Sequence, residues 1–257
     1  MTSQTPSLSF EVFPPNPAVG NEKILRALED MQGLAPHFIS VTASNNKYNI
    51  KETTVPLADH IQNDLAIPTI AHLPAIYLSK EKVADTLRDL DAVGVHRILA
   101  LRGDIIPGVE PLKDFRYATD LIEFIKEEAP QFDIIGACYP EGHPDSPNQI
   151  SDIQNLKKKV DAGCEFLTTQ MFFDNNIFFN FLYRVREQGI SVPVIPGIMP
   201  ITRAKQVETA RDLSGCSMPQ RFLNLVDRFG SNPKAMEQAG IAYATDQIID
   251  LIANGIN

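Results

Sequence analysis

The sequence predicts an α/β fold of the (β/α)8 TIM-barrel type, lacking the last strand and helix within the residues given. Short, nearly continuous apolar runs alternate with longer amphipathic segments along the whole chain. Seven such βα units follow in series, which favours a barrel over a doubly wound sheet. No Gly-x-Gly-x-x-Gly follows the first run, so a Rossmann nucleotide fold lacks its best signature.

The apolar runs predict strands over 8–12, 38–41, 68–72, 97–101, 133–139, 166–170 and 192–197. Their continuous apolar character suits parallel strands covered on both faces. Between them the spacing predicts helices. In 21–34, Ile24, Leu25, Leu28, Met31 and Leu34 follow the helical period. In 79–93, Ser79 opens the helix as a cap, and Lys82 stands where a full capping box has Glu. The apolar face of that helix runs through Val83, Leu87 and Leu90. Further helices are predicted over 118–128, 150–162, 175–188 and 203–212. After the seventh strand come two more, 219–229 and 233–253. Asn232 before Pro233 is a strong helix start, and Asn254-Gly255 a strong stop. With no linker rich in Gly, Ser or Pro, 1–257 is expected to form a single catalytic domain.

A hydrophobic share of 44% against 21% charged residues is ample for a core and argues against disorder. The net charge of −9 disfavours nonspecific nucleic-acid or anionic-membrane binding, which needs a basic face, but leaves room for a local basic pocket. Cys138, Cys164 and Cys216 are isolated and odd in number, so neither a disulfide framework nor a metal site is expected. The first residues show no charged segment followed by an apolar stretch, and no run approaches the ~20 apolar residues that cross a bilayer. A cytoplasmic protein is the expectation.

In a βα barrel the chemistry gathers where strands end and βα loops begin. Here the predicted strands deliver Glu11, Thr42, His72, Arg102 with Asp104, then Tyr139 followed by Glu141 and His143, and finally Gln170. Each alone reads as a loop residue or cap; together at one rim they read as a site. Glu11 sits inside the apolar SFEVFPP, where desolvation raises a carboxyl pKa and suits it to acid catalysis near neutrality. A structural pairing with Lys or Arg is the alternative. Asp104 in LALRGD could be a plain turn residue. Lys157, Lys158 and Lys159 would ordinarily form a solvated face, but one of them could hold a diphosphate as a point charge.

The segments SFEVFPP, FISVTAS, AHLPA, ILALRGD, YPEGHP, LKKKVDAG, TTQMFFD and PGIMPI stand in the order and spacing of the bacterial methylenetetrahydrofolate reductases, and the chain resembles that family over 8–253. The resemblance implies roles. Glu11 matches the acid that protonates a nitrogen of the methylene bridge, and Asp104 the aspartate beside flavin and folate. Gln170 and Gln206 match folate contacts, Gln170 also meeting the nicotinamide donor. Thr42, His72, Arg102, Gly103, Asp104, Ala118, Tyr139, His143, Asp152, Asn155 and Lys159 match positions that hold FAD, with Lys159 serving the diphosphate. The implied reaction is hydride transfer from NADH or NADPH to FAD, then from the flavin to methylenetetrahydrofolate. The resemblance also implies a homo-oligomer.

Two positions depart from the family. Ala43 stands where many members have an aromatic residue, and Ala210 where some place a phenylalanine against folate or nicotinamide. Both raise the possibility of a partner protein as electron donor; a noncatalytic flavin- or folate-binding subunit is a further rival. Relatives continue past Gly255 into an eighth strand and helix, so a longer natural protein is expected.

Overall fold

A computed structural model describes residues 6–15, 22–43 and 50–256. The strands follow one another in sheet order β1 to β7, and every recorded pairing is parallel. The chain divides into two compact units.

The first unit comprises Ser7–Gly136 and Asp161–Glu165. It holds β1 (Ser9–Val12), α1 (Glu22–Gln32), β2 (Phe38–Val41), α2 (Ile50–Asp59), β3 (Thr69–Pro74), α3 (Lys80–Ala92), β4 (Arg97–Leu101), α4 (Ala118–Glu128) and most of β5 (Asp133–Cys138). Glu11 pairs with Ser40, Val41 with Ala71, Leu73 with Ala100 and Ile98 with Ile134. All six residues of β3 are buried, the reason this strand reads as apolar without alternation. The predicted start of α3 is present: Lys82 N–H donates to Ser79 Oγ at 3.2 Å.

Two features differ from expectation. β3 runs on to Pro74, so His72 lies inside the strand rather than at its tip. Between β2 and β3 the sequence predicts no helix, yet α2 forms and continues into a π-helical turn, His60–Asp64. Pro56 inside α2 removes one backbone donor and masks the helical period. Burial of Ile50, Val55, Leu57, Ala58 and Ile61 outweighs that loss.

The second unit comprises Met1–Pro6, Ala137–Val160 and Phe166–Asn257. It holds the end of β5, α5 (Gln149–Asp161) up to its last residue, β6 (Phe166–Thr169), α6 (Asn175–Glu187), β7 (Val194–Ile195), α7 (Gln206–Ser214), α8 (Gln220–Phe229) and α9 (Pro233–Ala253). The seventh strand shrinks to two residues because Pro193 and Pro196 flank it and neither can donate to a ladder. α7 starts at Gln206, three residues later than predicted. The Gln206 side-chain oxygen accepts the N–H groups of Thr202 and Arg203, both at 2.9 Å, and holds them outside the helix.

The adjacent rings of TTQMFFD enter two different clusters. Phe172 stacks on Phe178 at 5.2 Å, near Leu251. Phe173 stacks on Phe222 at 5.2 Å, among Val207, Met236 and Tyr243. α9 fastens this segment by hydrogen bonds from Tyr243 Oη to the Phe173 carbonyl (2.6 Å) and from Gln247 Nε2 to the Phe172 carbonyl (3.2 Å). As its sequence predicts, α9 opens on Asn232, whose side chain accepts from Ala235 N–H at 3.2 Å. Ala210, expected to face a ligand, is fully buried in the Phe173 cluster, so it leaves no gap at a site.

Candidate active site

In the first unit the ends of β1 to β4 share one edge because the strands are parallel and in register. Glu11 occupies the third place of β1. Its side chain is 52% exposed, so the burial expected of a carboxylate inside an apolar strand is only partial. His72 on β3 is buried, and its Nε2 lies 3.6 Å from Glu11 Oε2.

Attraction in an ion pair would lower the Glu11 pKa and raise that of His72. The opposite holds. Desolvation raises the Glu11 carboxyl, and burial lowers His72 to about 4. Desolvation therefore wins over pairing, and near neutrality the imidazole is uncharged beside a carboxyl biased toward its protonated form.

That bias has a consequence for stability. Between about 4 and 6.5 the unfolded chain binds a proton that folded His72 refuses. The contribution is full above pH 6.5 and is lost as pH falls toward 4, up to about 3 kcal/mol. Glu11, with its raised pKa, acts in the opposite direction: its contribution is present at low pH and lost as pH rises through the folded value. His72→Gln is expected to flatten the fall in urea midpoint between pH 6.5 and 4. An unchanged slope would show that His72 charges as readily folded as unfolded.

Thr42, just past β2, is pinned through its backbone. Its N–H donates to the Val12 carbonyl at 2.9 Å, and its own carbonyl accepts from Thr54 Oγ1 at 3.1 Å. Thr42 Oγ1 and His72 Nε2 are buried without a hydrogen-bond partner among the described residues. Such atoms are rare and costly, and a ligand rich in heteroatoms is one source of partners. The pair therefore fits the flavin that the family resemblance implies.

Past β4, Gly103 adopts φ +91°, and a Cβ there would meet Pro74 Cβ at 3.1 Å, so only glycine suits the turn between Arg102 and Asp104. Arg102 Nε folds back onto the Gly103 carbonyl at 3.0 Å, and Asp104 is exposed. The following loop is braced by Tyr77, whose hydroxyl accepts from Ile106 N–H at 2.7 Å. Sequence reasoning missed Tyr77; its lone hydroxyl in the apolar LPAIYL was the available signal. Ala118 opens α4 and is buried; Asp120, in the first turn, accepts the N–H groups of Arg116 and Tyr117 just before the helix.

In the second unit, Tyr139 follows β5 and meets His143 edge-on, ring centroids 4.6 Å apart. Two turns shape this loop, closed by Gly142 N–H on the Tyr139 carbonyl (3.0 Å) and Ser146 N–H on the His143 carbonyl (2.9 Å). Pro140 and Pro144 sit second in these turns, where their fixed φ is favourable. His143 Nδ1 accepts from Asp145 N–H at 3.0 Å, which in a neutral ring leaves the proton on Nε2. Asp152 accepts from Ser146 Oγ at 2.9 Å. Asn155 is exposed and accepts from Lys158 at 3.2 Å. Lys159 donates to the Ala137 carbonyl at 2.9 Å, so its ammonium lies at the end of β5 rather than on an outward face.

Gln170 follows β6, held by its N–H on the Cys138 carbonyl at 2.8 Å, with its side-chain oxygen on Met171 N–H at 3.0 Å. The side-chain oxygens of both Gln170 and Gln206 thus accept local backbone N–H groups. Among the described residues no cluster of His, Cys, Asp or Glu is placed to hold a metal, and no helix is long and apolar enough to cross a membrane.

The family model described as methylenetetrahydrofolate reductase matches residues 1–257. The chain is 32% identical to the 5,10-methylenetetrahydrofolate reductase of Escherichia coli K12 over 97% of its length and 83% of that protein. It is 31% identical to methylenetetrahydrofolate reductase (NADH) 1 of Arabidopsis thaliana, spanning 97% of this chain and 44% of the plant protein. Among solved structures, a Clostridium thermocellum protein that binds two copies of 5-methyl-5,6,7,8-tetrahydrofolic acid superposes with a TM-score of 0.69 at 16% identity, covering 98% of this chain and 86% of that one. That likeness shows the α/β, TIM-barrel-like fold.

Proposed function

Because the chain belongs to the methylenetetrahydrofolate reductase family of oxidoreductases, we propose that it reduces 5,10-methylenetetrahydrofolate to 5-methyltetrahydrofolate with FAD bound and NADH or NADPH as donor. The observation that carries this reading is Glu11, a carboxyl with a raised pKa beside the buried, neutral His72. A carboxyl whose pKa is raised by desolvation holds its proton to higher pH than an ordinary glutamate and can give it to a nitrogen of the methylene bridge, opening the ring. Folate as substrate is also in keeping with the folate-binding Clostridium protein of the same fold.

FAD, when bound, supplies hydride transfer. Thr42 and His72 offer it polar atoms from β2 and β3, Gly103 lets the backbone turn beside Asp104, and Ala118 opens a helix N-terminus. Tyr139, His143, Asp152, Asn155 and Lys159 supply the remaining positions, Lys159 as the cation for a diphosphate. Gln170 and Gln206 orient folate through their amides.

One feature favours a second reading. Ala43, at a place where the resemblance gives many members an aromatic residue, offers little surface for stacking a nicotinamide, which suits reduction by a partner protein. An anaerobic spectrum separates the two. Bound flavin that bleaches on NADH or NADPH and recovers with methylenetetrahydrofolate is the expected result. Flavin that stays oxidised with both nucleotides would favour the partner, and a protein that cannot be loaded with FAD would refute the cofactor assignment.

A further inference from the structure

Glu141 is left without a role by the reaction above, although it stands in the middle of YPEGHP. Its carboxylate closes on a distant backbone group: Ser217 N–H, in the connection after α7, donates to Glu141 Oε2 at 2.9 Å and Oε1 at 3.1 Å. We propose that Glu141 is a positioning residue, which sets the Tyr139–His143 loop in its flavin-binding shape by anchoring it to the Ser217 amide. This rests on the reading that the loop holds FAD.

The anchor is stiff at both ends. On the loop side, the Glu141 carbonyl accepts from Gln149 Nε2 at 3.2 Å, so main chain and side chain are both fixed. On the far side, Ser214 Oγ donates to the Ala210 carbonyl at 2.6 Å and accepts from Cys216 N–H at 3.1 Å, which ties the connection to the last turn of α7. Gly215, at φ +63°, supplies the left-handed turn that presents Ser217, and a Cβ there would touch Pro144 Cγ at 3.4 Å. The loop and the connection therefore meet at the Glu141 carboxylate, with Pro144 close beside Gly215. A hydrogen bond to an ionised acceptor is stronger than a neutral one, so this contact holds the loop better than the turns alone.

Titration of flavin fluorescence tests the role. Glu141→Ala is expected to weaken FAD binding on the order of tenfold, as loss of a charge-assisted bond implies. Glu141→Gln keeps a carbonyl that can accept Ser217 N–H and should restore binding to within about threefold. Ser217→Pro removes the donor and should weaken FAD as much as Glu141→Ala, with no added loss in the double variant. At saturating FAD, all variants should bind 5-methyltetrahydrofolate as the unmodified protein does, which general unfolding would not allow. Amide exchange at Ser217, read without FAD, should quicken in Glu141→Ala and stay slow in Glu141→Gln.

Full FAD affinity in Glu141→Ala, additive losses in the double variant, or unchanged exchange at Ser217 would each overturn the role. An unmodified protein that binds no FAD would instead overturn the flavin reading, and the loop's role with it.

Discussion

Glu11→Gln is expected to lower folate turnover about a hundredfold to ten-thousandfold while leaving folate affinity within about a factor of two. The amide has nearly the shape of the protonated carboxyl and, like it, carries no charge. The environment that raises the Glu11 pKa therefore accepts it without added desolvation cost. What it lacks is an acidic proton. The loss should thus fall on kcat and spare binding, the signature of an interaction needed in the transition state. In the unmodified enzyme the same acid predicts that turnover declines as pH rises through the raised carboxyl pKa. Equal turnover in Glu11→Gln would remove the acid assignment and return Glu11 to a structural role beside His72.

Gly240→Ala should cost about 3 kcal/mol of stability, measured as a lower urea midpoint with an unchanged slope. Alanine is intrinsically the better helix former by about 1 kcal/mol, so propensity alone predicts stabilisation. Packing decides the sign. A Cβ at Gly240 would lie 1.8 Å from the Ile201 carbonyl oxygen and 2.7 Å from its carbon. Both atoms are backbone, so no side chain can turn aside. α9 would have to lift away from Ile201, loosening the contacts of Met236 and Tyr243 with Phe173 and Phe222. A variant more stable by about 1 kcal/mol would show that the helix does not approach this closely.

Much of the fold was legible because its elements are locally encoded. After Arg97, β4 is apolar because Ile98, Leu99 and Ala100 are all buried, and Ser79 and Asn232 announce their helices through caps that need no distant partner. The elements that were missed depend on distant contacts. α2 carries a proline and a weak period, and it forms because Ile50, Val55 and Leu57 find a core. β7 reads as six residues but pairs over two, since a ladder needs donors that its prolines lack.

The candidate site divides in the same way. Sequence alone put Thr42, Asp104, Tyr139 and Gln170 past strand ends, because a parallel βα chain delivers each strand's last residues to one edge, whereas His72 lies inside β3. Sequence also singled out Glu11 as a candidate acid, since a carboxylate in an apolar segment is expected to lose solvation. Only the tertiary structure showed that Glu11 keeps half its surface in solvent and that its neighbour is a neutral histidine rather than a cation. It alone showed Ala210 in a core cluster, Tyr77 bracing the loop after Asp104, and Glu141 reaching Ser217. The physical reason is range. Period, capping and turn preference act within a few residues, whereas burial and long hydrogen bonds depend on which segments the folded chain brings together.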